Sequence, residues 1–229
     1  MITIFHGSNA PLSRKQFIDA KQHSENPVTL DGTTVTLAQL TQALEGQSLF
    51  GNDTHVFIED FFSKRKASKE TTSLTEYLTK QGEGNTIVMW ESKELTPKQV
   101  SSLGKPTVKK FDIPKEVFAF LDSLLPGNSK QMIDIFHRVL TTEEPEFVFF
   151  MIVRQFRMML AIIEPTEHTI DEIARLSWQK NKLIKQANAF GKTSLLANYD
   201  NLFSIESGMK TGQLSTNIEQ TIDFFLATL

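Results

Sequence analysis

Ile2-Thr3-Ile4-Phe5-His6-Gly7-Ser8-Asn9-Ala10-Pro11-Leu12-Ser13-Arg14-Lys15 is the stretch on which the fold class turns. It reads as a strand, Ile2 to His6, followed by the turn into a helix. The same alternation recurs downstream. His55 to Phe61, Thr86 to Trp90 and Thr107 to Phe111 are β-rich runs, and helix starts lie between them. Thr36 with Gln39 forms a capping box ahead of Leu37, Leu40 and Leu44; Ser73 with Glu76 forms another; Thr96-Pro97 with Gln99 combines a cap, a first-turn proline and a box. Strands alternating with helices imply right-handed crossovers and a mostly parallel sheet. Residues 1–112 are therefore read as a small α/β domain.

The pattern changes near Asp112. Pro114 opens an amphipathic run to Leu125, Pro126-Gly127-Asn128 breaks it, and Ser129 is placed to cap the next run to Leu140. Pro145 begins a nearly all-apolar segment to Ile163 whose rows of Phe, Met, Ile and Leu fit a helix buried on most sides, with Phe147, Phe149 and Phe150 assigned to the core. Thr169 with Glu172, Ser177 before Trp178, Thr193 before Ser194, and Thr216 with Glu219 mark further helix starts; Gly191 and Gly212 suit helix ends. Residues 113–229 read as a helical bundle. The polar, basic stretch Ser63 to Thr72 is expected to be a mobile linker.

Composition excludes several classes of function. The chain of 229 residues has no cysteine, so disulfides, thiolate metal sites and cysteine nucleophiles are ruled out. Its first residues lack a charged leader followed by an apolar run, and its longest apolar stretch, Phe147 to Val153, is too short to span a bilayer; a cytoplasmic protein without membrane contact is expected. A net charge of -3 argues against a strongly basic nucleic-acid binder. The 18 phenylalanines against 2 tyrosines and 2 tryptophans imply apolar cores or apolar docking surfaces.

Signals for bond chemistry are thin. A phosphate loop needs G-x-x-x-x-G-K-[ST], but Leu12 stands where the second glycine after Gly7 belongs; in front of Gly191-Lys192-Thr193, Gln186 stands where the first belongs. Glu59-Asp60, at the end of the second β-rich run, lies where a magnesium-binding acidic pair would lie, so a small ATPase using Gly7, Lys15 and Glu59-Asp60 is the rival reading. His6, His23, His55, His137 and His168 show no ligand-type spacing, and neither a metal nor a cofactor is expected. Lys64-Arg65-Lys66 and Lys180, Lys182 and Lys185 are candidates for DNA or partner contact, against the ordinary reading of solvated faces. A nucleic-acid-binding adaptor is thus a further alternative.

One segment stands apart: Gly46-Gln47-Ser48-Leu49-Phe50-Gly51-Asn52-Asp53, at the end of the helix opened by Thr36. Two large apolar residues lie between glycines, just before a polar turn. Pattern alone leaves two readings open, a pair turned inward to seal the domain or an exposed plug for a partner's pocket.

The order of segments resembles the delta subunit of the bacterial DNA polymerase III clamp loader: a first strand with a degraded phosphate loop, a helix finishing in Ser48-Leu49-Phe50, then at once the strand from His55. The second half resembles that family's C-terminal collar domain in Phe118 to Asn128, Phe149 to Leu160 and Ile205 to Leu226. The resemblance implies an AAA+-like, P-loop-NTPase-like head that hydrolyses no ATP, a helical collar that assembles with ATPase subunits, and a Ser-Leu-Phe element that enters the sliding clamp's pocket and helps open the ring. Carried over by position, Leu49 and Phe50 would be the plug and Ser48 its neighbour. Gly46 and Gln47 depart from the wider Gln-Leu-Ser/Asp-Leu-Phe pattern. The family's helical lid has no place here, because Phe111 leads almost directly into Pro114. A short delta-like form is the expectation, with DNA contact weak or indirect.

Overall fold

The computed structural model describes residues 1–46, 55–166 and 179–229. The chain divides into two compact units, Met1–Ile113 and Pro114–Leu229. The first holds β1 (Ile2–His6), α1 (Ala10–Gln22), β2 (Pro27–Asp31), α2 (Leu37–Glu45), β3 (His55–Glu59), α3 (Lys69–Gln81), β4 (Thr86–Trp90), α4 (Pro97–Ser101) and β5 (Thr107–Lys110). The strands form one sheet in the order β2-β3-β4-β1-β5, with every pairing parallel.

Successive residues of a strand face opposite sides of the sheet, and both sides are apolar here. Ile2, Ile4, Val56, Ile58, Ile87 and Met89 pack with Leu40 and Leu44 of α2, Leu74 and Leu78 of α3, and Leu95 and Leu103 flanking α4. The other side is aromatic: Phe5, Phe57 and Trp90 gather around Phe17 of α1. Phe17 meets Phe57 edge to face at 5.4 Å, and Phe5 stacks on Phe111 at 6.1 Å.

The second unit holds α5 (Lys115–Ser123), α6 (Ser129–Val139), α7 (Pro145–Ile163), α8 (Lys180–Thr211) and α9 (Ile218–Thr228). Phe156, on the buried side of α7, meets Phe190 of α8 and Phe225 of α9. A buried amide pair ties three helices together. Gln155 Nε2 donates to Gln186 Oε1 at 2.7 Å, and Gln186 Nε2 donates to the carbonyls of Leu121 and Leu124. These carbonyls lie at the C-terminal end of α5, where the i+4 amide partners run out.

Several expectations need correction. Ser73 lies inside α3; the cap is Ser68, whose Oγ accepts from the Thr71 amide. Ser63 to Thr72 is accordingly no loose linker, since α3 begins at Lys69 and Ser63 and Arg65 are tied to neighbouring segments. Ser129 is the first residue of α6, with Asn128 at its cap, and Asn217 rather than Thr216 caps α9. Gly191, by contrast, interrupts α8 with non-helical backbone, φ 71° and ψ 158°, between two helical stretches, in keeping with the helix end and new start read there from the sequence. Phe149 is buried, but Phe147 is half-buried and Phe150 is 57% exposed. Thr169, Glu172, Ser177 and Trp178 lie outside the described residues.

Candidate functional site

The turn after β1 is built for packing. Gly7 has φ 139°, and a Cβ there would lie 2.0 Å from the Phe111 carbonyl oxygen. Only a residue without a side chain fits that approach. The Asn9 amide donates to the same carbonyl, and Asn9 Oδ1 caps α1 by accepting from the Leu12 amide. The turn is thus closed over the chain leaving β5, with a single glycine where a phosphate cradle needs more. Lys15 is exposed on α1.

The two acids named from the sequence are occupied within the unit. Glu59 pairs with Arg14 at 2.9 Å, and Asp60 pairs with Lys64. Asp60 has φ 58°, and its Oδ1 accepts from the Ser92 amide. Burial pushes the Asp60 carboxyl up, but the bonds from Lys64 and Ser92 outweigh it and hold the group below its ordinary range. Glu91, fully buried, returns the connection. Its carboxylate accepts from the amides of Phe62 and Ser63 at 2.7–3.1 Å, while burial pushes its pKa up. The loops after β3 and β4 therefore hold each other.

That brace carries Arg65. Its side chain is 10% exposed, lies 5.8 Å from the centre of the Phe61 ring and pairs with Glu70. It donates to the carbonyls of Gly32 and Val35, at 3.2 and 2.7 Å. These carbonyls lie just before α2. Thr36 then starts α2 with the capping box read from the sequence, and Leu40, Ala43 and Leu44 face the core. At the far end, Glu45 accepts from Tyr77 Oη at 2.9 Å and Gln81 Nε2 at 2.8 Å. Gly46 follows as the C-cap. Ser48, Leu49 and Phe50, the plug candidates, lie outside the described residues.

The basic residues fare differently. Arg65 faces inward, Lys64 is spent on Asp60, and Lys66 is exposed. On α8, Lys182 pairs with Asp122, whereas Lys180 and Lys185 are exposed. A hollow of about 520 Å³ between α3 and α4 is lined by Phe62, Arg65, Thr71, Thr75, Glu76 and Lys98. His6 is 3% exposed; its Nδ1 accepts from the Leu95 amide, which places the proton on Nε2. Nε2 has no partner among the described residues and less than 1 Å² of surface, so no ligand reaches it in this conformation. Among the described residues, no group of three His, Asp or Glu could hold a metal ion, and no helix is long and apolar enough to cross a membrane.

Sequence reading missed the anchors Arg65, Tyr77 and Gln81. Arg65 sits in a run of three basic residues that nothing local distinguishes, and the Glu45 contacts span more than 30 positions.

The family model for the DNA polymerase III delta subunit, C-terminal domain, matches residues 114–228. Among solved structures, the Bacillus subtilis DNA clamp loader delta protein (YqeN) matches with a TM-score of 0.51 at 14% identity, covering 99% of this chain and 94% of that one. At that identity the likeness is one of fold. The search of curated proteins returns no match.

Proposed function

Because this chain belongs to the DNA polymerase III delta-subunit family, we propose that it binds a sliding clamp through Leu49 and Phe50, with Ser48 beside them, and helps to open the clamp ring. The observation that carries the reading is α2: a helix anchored at both ends that leads through Gly46 into this Ser-Leu-Phe segment. Burying one Leu and one Phe side chain supplies about 3–6 kcal/mol before ordering costs, enough for a specific anchor. Opening the ring further requires that the protein prefer the open clamp, because a ligand shifts an equilibrium only by its differential affinity.

The protein acts by binding. The Gly7 turn is packed against Phe111, and Glu59 and Asp60 are held by Arg14 and Lys64, an arrangement that favours a non-catalytic subunit over the ATPase rival. ATPase partner subunits of the loader would supply the nucleotide cycle, and the helical second unit would assemble with them. Phe111 to Pro114 alone separate β5 from α5, which supports a short form without an interposed lid. DNA contact is weak or indirect. In a pull-down with the host's clamp, the wild type should retain the clamp and a Leu49→Ala, Phe50→Ala double variant should lose it. Equal retention by a folded double variant contradicts the reading. Saturable Mg·ATP binding that disappears in Lys15→Ala would favour the ATPase instead.

A further inference from the structure

α2 and α3 are registered start to start and end to end. At the start, Arg65 bridges Glu70 in the first turn of α3 to the carbonyls of Gly32 and Val35, which immediately precede α2. At the end, Tyr77 and Gln81 in the last turns of α3 donate to Glu45, the last residue of α2. The two anchors differ in chemistry. Arg65 uses a planar fork, which two carbonyls and a carboxylate can share and a lysine cannot reproduce. Glu45 needs only an acceptor oxygen.

Such anchoring exceeds what the stability of α2 requires. Its apolar face is already buried through Leu40, Ala43 and Leu44, and its N-terminus is already satisfied by the capping box of Thr36 and Gln39. The polar anchors act on what burial specifies least, the axial register and the direction in which the helix ends. A helix sliding by one residue moves its end by about 1.5 Å, which matters for a segment that must enter a pocket. Arg65 is itself oriented by a chain of contacts, through the Phe61 ring and through the loop that Glu91 holds at Phe62 and Ser63.

We propose that Arg65 and the Glu45–Tyr77–Gln81 cluster are positioning residues that fix the register and end of α2, and thereby the approach of the Leu49–Phe50 segment to its partner. The inference rests on the clamp-binding reading. It assigns to Arg65 a role inside the head, in place of a DNA contact.

The test uses the full chain with Arg65→Lys, Glu45→Ala and Glu45→Gln, read by clamp affinity, by amide hydrogen exchange and by thermal unfolding. Arg65→Lys and Glu45→Ala should each weaken clamp binding about tenfold, as loss of the hydrogen bonds at either anchor implies. Exchange should quicken across residues 37–45 and stay unchanged in β1 and β4, and Glu45→Gln, which keeps an acceptor oxygen, should restore both readings. Rescue by Glu45→Gln separates positioning from a general loss of stability. Unchanged exchange at 37–45, or clamp affinity equal to wild type in both Arg65→Lys and Glu45→Ala, overturns the proposal. A wild type that does not bind the clamp overturns the functional reading instead, and it shows in the binding arm whatever the exchange arm reports.

Discussion

Glu91 is a carboxylate with no exposed surface, and it owes its place to two amide hydrogens it accepts from the neighbouring loop. Glu91→Ala strands the Phe62 and Ser63 amides and should cost about 2–3 kcal/mol, read as a lower urea midpoint with an unchanged slope. His6 makes a pH-dependent contribution. Burial holds its pKa below the ordinary 6.5, while Glu94 and Asp112 push it up and Lys110 pushes it down. Above 6.5 the imidazole is neutral whether the chain is folded or not, and its full contribution is present. As the pH falls through 6.5 toward the lower folded value, the unfolded chain takes up the proton first and stability is lost. The urea midpoint of the wild type should therefore fall between about pH 7.5 and about pH 5.5. That of His6→Asn, which keeps an acceptor toward the Leu95 amide, should fall less; equal slopes would contradict the burial argument.

At the scale of elements, α8 is the sharpest case. Gly191 has φ 71° and ψ 158°, a region open essentially to glycine alone, and a Cβ there would meet nothing within 4 Å. The cost of Gly191→Ala is therefore pure backbone strain, about 1–3 kcal/mol, measurable as a lower midpoint of thermal unfolding. Thr36→Ala removes the cap of α2 and should cost about 1 kcal/mol. These sites also show which elements the sequence could reveal. The boxes at Thr36 and Thr96 and the proline at 145 are local devices, decided within four residues, and each begins its helix where the sequence reading placed it. β2 escaped notice because its alternation is carried by only two apolar residues, Val28 and Leu30, half-buried on an edge strand of five. Ser73, with Glu76 three residues on, carries the fuller local box, yet α3 begins at Lys69 with Ser68 as its cap, and the turn before Ser73 buries Thr71. Phe150 belongs to an apolar run whose period cannot say which residue faces out.

For the molecule as a whole, the family match covers the helical unit, residues 114–228, while the proposed plug lies in the α/β unit. The parallel sheet was legible because its three inner strands and its helix caps repeat one local pattern. The positioning of α2 was not, because Arg65, Tyr77 and Gln81 act across 30 or more residues. Neutralising Lys180 and Lys185 should leave clamp binding intact, and any DNA affinity they support should be salt-sensitive; filter binding at two salt concentrations decides this. The central claim meets its most direct test in the equilibrium dissociation constant for the sliding clamp, measured with wild type and with the Leu49→Ala, Phe50→Ala double variant. Loss of both apolar side chains should weaken binding about a hundredfold or more while the urea unfolding curves coincide. Equal dissociation constants for the two proteins, or no saturable binding by the wild type, would contradict the account.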